Sequence, residues 1–293
     1  MGIKSAKIIV RDVGFGDSIY VKVRRGDNSE GSYLIDTGYL GEEKQYKNEL
    51  RDINVEKIDT LILTHKHSDH ISAAHYIIEH YEYYGLKNIF LSFKDIFFAS
   101  NTNKKLSNKL KKIYSDKLSK INIFDINDEN AVKAILDFYV LYPNKYTQSY
   151  PSDINRNSIV LLLGVGEYGV LFTGDITNKE DLLILRELQK YNIKEINALK
   201  IAHHGSSTST SRELLHGLSP LKYAIVSSNA KRRYKLPSRE FEARWSEYEN
   251  NHDSRMFYTE DENIRQNIQL IVNSDTGCDV ICDCRQKFFS SKS

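Results

Sequence analysis

The segment Thr64-His65-Lys66-His67-Ser68-Asp69-His70 packs three of the chain's nine histidines and a carboxylate into six residues. Imidazole and carboxylate together are the donor set of zinc, manganese and iron sites. The segment follows the apolar run Ile58–Leu63 directly, so a buried strand delivers it to a loop. Alternate side chains of such a loop enter one cleft. His65 and His67 can then face one ion, and Asp69 and His70 a second, with Lys66 and Ser68 turned away. A histidine-rich surface loop would seldom sit between a buried strand and a helix start.

Two further apolar runs end in the same chemistry. Leu171-Phe172-Thr173-Gly174-Asp175 closes on a carboxylate, with a glycine that permits close backbone approach. Asp175 can offer one oxygen to each of two cations. Leu199-Lys200-Ile201-Ala202-His203-His204-Gly205-Ser206 delivers two imidazoles. Adjacent histidines cannot easily both bind one ion, so His204, beside the glycine, reads as the ligand and His203 as a group contacting substrate. Three strand ends converging on one sheet edge predict a preformed site for two divalent cations, zinc or manganese ahead of iron. His75, His80, His216 and His252 read as helix-surface residues.

Positioning these groups requires strands that end at one edge. The patterning predicts strands at Lys7–Val10, Ser18–Val23, Ser32–Ile35, Lys57–Leu63, Asn88–Ser92, Ser158–Leu163, Val170–Phe172, Ala198–Ala202, Tyr223–Ser227, Arg255–Tyr258 and Ile264–Val272. Helices are predicted at Glu42–Asp52, Ile71–Tyr84, Asn130–Phe138, Lys179–Lys190, Thr210–His216 and Ser238–Asn250, the last starting after Pro237. Strands come in two batches, each followed by helices. That order predicts an α+β domain of two similar halves, two packed sheets covered by helices. The whole of 1–293 reads as one domain, with a Lys-rich insertion around 94–128 and a short C-terminal extension, 273–293.

Composition narrows the class. The chain has 293 residues, with 40% hydrophobic side chains, 19 tyrosines and 12 phenylalanines, enough for a sizeable core. With 41 basic and 39 acidic residues the net charge is +2. A dedicated non-specific DNA binder is usually more basic. No run approaches the ~18 apolar residues of a membrane span, and no long apolar signal core precedes Arg11. The expectation is a soluble, cytoplasmic protein with no membrane association. Cys278, Cys282 and Cys284 are an odd, clustered set that makes no disulfide framework and fits one face of a packed strand that includes Val280. Residues 104–120 carry seven lysines against the single acid Asp116. They read as a solvated face or as a basic flap over substrate.

The motif series His-x-His-x-Asp-His, Gly-Asp and His-His-Gly-Ser resembles the metallo-β-lactamase superfamily, and more narrowly the metallo-β-lactamase domain of ComEC-type DNA-uptake proteins. Val13-Gly14-Phe15-Gly16-Asp17-Ser18, Leu34-Ile35-Asp36-Thr37-Gly38 and Asn157-Ser158-Ile159-Val160 extend the likeness over about residues 7–272. The resemblance implies an αββα four-layer sandwich with a dinuclear site between the sheets. It also implies phosphodiester hydrolysis, plausibly of DNA, by water activated on the metal pair. In that scheme Asp69 orients or deprotonates the water and Asp175 bridges the ions. His203 hydrogen-bonds a phosphate or leaving oxygen, and Asp17 and Asp36 fix the ligands.

The chain departs from the family pattern in two places. Many superfamily members carry another metal-binding histidine before the Gly-Asp motif, but no histidine lies between His80 and His203 here. Asp153, Asn155, Asn157 or water is left to take that place. In the later segment Leu236 precedes Pro237, where the ComEC-like pattern often has histidine. Lys231, Arg232, Arg233 and Lys235, just before it, are candidates for phosphate binding or are a solvated basic loop. The expected partner is nucleic acid or another phosphodiester. Two other functions fit the same motifs: hydrolysis of a small acyl substrate such as a lactam, lactone or thioester, and a binding or regulatory module weakened in catalysis.

Overall fold

The structure, a computed structural model, describes residues 2–14, 16–39, 43–91, 104, 106, 108, 120–128, 135–143, 153–218, 220–227, 236–261 and 264–283. Each half begins with antiparallel strands and continues with parallel ones. In the first half Ile3–Val10, Ile19–Arg25 and Glu30–Ile35 form a meander. Thr60–Leu63, Asn88–Leu91 and Asn122–Asp125 then add in parallel. In the second half Phe138–Tyr142, Val160–Val165 and Tyr168–Phe172 are antiparallel neighbours. Glu195–Lys200, Tyr223–Val226 and Arg255–Tyr258 extend them in parallel. The strands Asn267–Asn273 and Gly277–Asp283 return to pair beside Ile3–Val10. Among the described residues a parallel bridge, Ile3 to Val165, joins the two halves edge to edge.

Strand side chains alternate between faces, and the alternation here separates three apolar layers. Ile8, Val10, Val21, Tyr33, Ile35 and Ile62 of the first half meet Leu161, Leu163, Val170, Phe172, Ala198 and Ile225 of the second. That is the layer between the sheets. The opposite face of the first sheet, with Ile9, Leu34, Leu61, Leu63 and Ile89, packs under Tyr46, Leu50, Ile71 and Ile77 from its helices. The opposite face of the second, with Leu162, Leu171, Leu199, Ala224 and Val226, packs under Ile184, Leu214, Phe241 and Trp245. Helix, sheet, sheet, helix is the αββα sandwich that the motifs implied. Among the described residues no helix is long and apolar enough to cross a membrane.

Several boundaries differ from the sequence expectation. Ile71–Tyr84 is not one helix: Ser68–Ile71, Ala74–Glu79 and Tyr81–Tyr84 are separate short turns. His80 leaves helical geometry, with φ −105° and ψ 30°. The side-chain periodicity survives such breaks because every turn still buries its apolar face against one sheet. Within the expected helix Asn130–Phe138, residues 129–134 lie outside the described set, and Phe138 opens a strand that completes the second sheet. The expected strand Ala198–Ala202 ends at Lys200 and gives way to a 3₁₀ turn, Ala202–Gly205. The end of the expected Lys-rich insertion, Asn122–Asp125, is a strand of the first sheet, and most of 94–119 lies outside the described residues. Within the expected C-terminal extension, Gly277–Asp283 is a sheet strand. Cys278 is buried there and Val280 packs against the inter-sheet layer. Cys282 shares the strand, and Cys284 lies outside the described residues.

Candidate metal centre

Five strands place the candidate ligands and their supports, each at its C-terminal end, where open α/β sheets place their sites. Glu30–Ile35 ends at Asp36, Thr60–Leu63 at the His65–His70 loop, and Tyr168–Phe172 at Asp175. Glu195–Lys200 leads to His203 and His204, and Tyr223–Val226 to Ser227.

The first loop is fixed from below by Asp36, which is buried and has a left-handed φ of 56°. Its carboxylate accepts from Thr64 N at 2.8 Å and Thr64 Oγ1 at 2.6 Å, and lies 2.7 Å from His70 Nδ1. That contact turns His70 Nε2 toward the cluster. The His70 carbonyl is held in turn by Thr37 N and Thr37 Oγ1.

The second half contributes through tighter backbone. Gly174, at φ 51°, lies against Ser158, whose hydroxyl accepts from Asp175 N at 3.0 Å. His203 and His204 both adopt left-handed conformations, φ 46° and 53°. Such residues cost of order 1–3 kcal/mol each and persist where surroundings over-determine them. Here His203 N donates to Gly174 O, Ser206 N to His203 O, and Ser238 N to Gly205 O. His204 Nδ1 lies 2.9 Å from Ser227 O, which presents Nε2 to the carboxylates.

Among the described residues three donor groups overlap, and within each the donor atoms lie within 4.8 Å of one another. One is Asp36, His65 and His70, whose Asp36 is already engaged by Thr64 and His70. The others are Asp69, His70, Asp175 and His204, and His65, His67 and Asp175, and Asp175 belongs to both of these. Its Oδ2 is 3.5 Å from His65 Nε2 and 3.3 Å from His70 Nε2, and its Oδ1 is 3.6 Å from His204 Nε2. Asp69 Oδ2 stands 3.7 Å from both His70 Nε2 and His204 Nε2. His70 Nε2 and Asp175 Oδ1 are buried without a hydrogen-bond partner. Buried polar atoms seldom go unsatisfied, and imidazoles and carboxylates aimed at one point suit divalent cations.

The electrostatics agree. Burial holds His65, His67 and His203 below the usual histidine range, in the neutral form that a ligand or hydrogen-bonding group needs. Burial also opposes charge on His70 and His204, but Asp175 with Asp36, Asp69 and Asp17 outweighs it and raises both. In turn, burial would lift Asp69 and Asp175, yet His70 and His204 keep both carboxylates low and ionised. Closely spaced carboxylates thus draw positive charge into the site.

Of the three residues considered for the missing histidine's place, Asn155 lies against the imidazoles: its Nδ2 is 3.5 Å from each ring nitrogen of His203. Asp153 and Asn157, in the same turn, are half-buried. Asp17 sits behind His204, 3.7 Å from Nδ1. Lys231, Arg232, Arg233 and Lys235 lie outside the described residues. Of the histidines expected on helix surfaces, His75 is in fact buried. It carries its Nδ1 to Ser72 O, because its helix is pressed against the sheet. Sequence reasoning passed over Lys200, Ser158 and Ser227. A lysine inside the apolar run Ile196–Ile201 was the available signal for the first.

The metallo-β-lactamase superfamily model matches residues 11–88. Over 244 residues the chain is 28% identical to ComE operon protein 3 of Bacillus subtilis, covering 77% of this chain and 29% of that protein. Over 102 residues it is 36% identical to Recombination protein 2 of Haemophilus influenzae, covering 35% of this chain and 12% of that protein. The chain therefore spans well under half the length of these relatives. A CmlA β-hydroxylase structure superposes with a TM-score of 0.53 at 12% identity, over 92% of this chain and 54% of that one, a likeness of fold. With its candidate ligands gathered at the strand ends of an αββα sandwich, the chain is similar to the metallo-β-lactamase superfamily, whose model matches it over residues 11–88.

Proposed function

We propose that this protein is a metal-dependent phosphodiester hydrolase acting on DNA or another phosphodiester. One observation carries the reading: two donor groups overlap on Asp175, so two cations would lie side by side. His65, His67 and Asp175 would hold one, with Asn155 beside it, and Asp69, His70, Asp175 and His204 the other. Zinc and manganese both suit the donor set, with iron behind them. Bound there, such ions supply Lewis acidity, which acidifies water and stabilises charge on a phosphoryl group.

The protein's own groups would do the rest. Asp69, kept ionised by His70 and His204 and more exposed than Asp175, would accept a proton from an attacking water. His203, kept neutral by burial and lying beside Asn155, would hydrogen-bond a phosphate or leaving oxygen. Nucleic acid as substrate rests on the ComEC-like motifs and on relatives named for the ComE operon and for recombination.

The test is turnover of bis(p-nitrophenyl) phosphate, single- and double-stranded DNA and a lactam, each with added zinc or manganese and with chelator. Phosphodiester and DNA cleavage that Asp69→Ala abolishes while circular dichroism stays unchanged is the expected result. Lactam turnover alone would point to the small acyl substrate. Metal uptake without any turnover would point to a binding module. DNA affinity falling steeply with salt would further favour nucleic acid.

A further inference from the structure

We propose that the buried ion pair Lys200–Asp17 is a positioning device that sets His204 against Asp69 and Asp175; the inference rests on the metal-dependent reading above. Lys200 Nζ lies 2.9 Å from Asp17 Oδ1 and donates to Ile201 O at 2.9 Å. Both side chains are about 1% exposed. Removing two charges from water is costly, and well-packed apolar residues often stabilise a fold as well or better. A pair kept at such cost at the end of a core strand has its value in geometry.

The connections show which geometry. Lys200 is the last residue of its strand, and its carbonyl accepts from Thr173 Oγ1 at 2.5 Å, two residues before Asp175. Its partner Asp17 belongs to a turn of the other half. In that turn Gly16 has φ 97° and is pressed so closely on Asp69 that a Cβ would fall 1.8 Å from the Asp69 carbonyl oxygen. Gly16 O accepts from Ser227 Oγ at 2.8 Å, and the Ser227 carbonyl takes His204 Nδ1. Asp17 Oδ1 itself is 3.7 Å from that nitrogen. The ion pair therefore ties the strand that launches His204 to the turn that backs Asp69, across the junction of the halves. His203 and His204 lie in left-handed backbone, which gives this brace something to hold.

The experiment compares wild type, Lys200→Met, Lys200→Arg and the double variant Lys200→Met with Asp17→Asn. Each is made metal-free and followed by thermal melting, then titrated calorimetrically with zinc and with manganese. Lys200→Met strands the Asp17 carboxylate, so both melting temperature and affinity should fall. The double variant removes both charges. Its melting temperature should return toward wild type, while one of the two metal-binding steps stays at least about tenfold weaker, as for lost ligand support. Lys200→Arg, which keeps the charge, should recover part of that affinity. Full metal affinity in either Met variant would overturn the proposal, as would affinity that recovers in step with stability in the double variant. A wild-type protein that takes up neither metal would instead overturn the reading beneath it.

Discussion

The two halves of the molecule share an architecture but supply the site by different means. The first half spends one loop: His65, His67, Asp69 and His70 are contiguous, and a single buried carboxylate, Asp36, orients both the start of the loop and its last histidine. The second half sends one donor from each of two strands, Asp175 and His204, and holds them through left-handed turns and backbone hydrogen bonds. The first arrangement is local and polar; the second depends on neighbouring strands staying in register. The difference indicates where each half is vulnerable: the first at one anchoring side chain, the second at whatever aligns its strand ends.

The largest effect should come from the second half. Asp175 is common to the two donor groups proposed to hold the cations. Asp175→Ala should therefore abolish stoichiometric metal uptake, measured by mass spectrometry of the dialysed protein. Turnover should fall by about 10³ or more, the scale of several kcal/mol of lost charge stabilisation. An Asp175→Ala protein that retains two ions would break the comparison, since the first loop would then suffice.

A smaller effect is expected in the first half. Asp36→Asn keeps a residue type that tolerates the left-handed backbone, but an amide cannot accept all three hydrogen bonds that the carboxylate takes. Loss of an outer partner of this kind lowers metal affinity by about 10–100-fold. Titration should show the weakening in the step assigned to His70, with the other step little changed. Equal weakening of both steps would mean that Asp36 supports the whole loop rather than its last ligand.

The smallest effect lies away from the site and separates scaffold from centre. Asp59 ties neighbouring first-half strands together by accepting from Ser32 N and Oγ, and it pairs with Lys57. Burial would raise its carboxyl, but Lys57 and Ser32 outweigh that and leave it below the ordinary 3.8. Because the folded value is the lower one, its stabilisation is present above about pH 3.8 and is lost as pH falls through the folded value. Asp59→Asn should thus cost about 1 kcal/mol at neutral pH. Its melting curve should converge with wild type in acid, and metal affinity should not change. A change in metal affinity would show that strand register feeds directly into the site.

Much of this was legible before the fold. The density of imidazole and carboxylate after Leu63, the carboxylate after Phe172 and the paired histidines after Ile201 are covalent facts, and each follows a strand that the apolar pattern marks. Two batches of strands, each followed by helices, also foretold two packed sheets covered by helices, and the family resemblance implied their αββα stacking. Less visible were breaks such as that at His80, because a helical burial pattern persists across a kink, and the strand Phe138–Tyr142, because a short apolar run fits either period.

The chain's covalent order determined which groups could bind metal and that strands would carry them to loops, since residue type and local periodicity are properties of neighbouring residues. Only the tertiary structure decided that Asp175 stands between two sets of histidines, that Asn155 lies against His203, and that Lys200 meets Asp17 from the other half. These are contacts between residues tens to hundreds of positions apart. They exist because the two sheets fold over one shared apolar layer, and that packing fixes distances which no local pattern encodes.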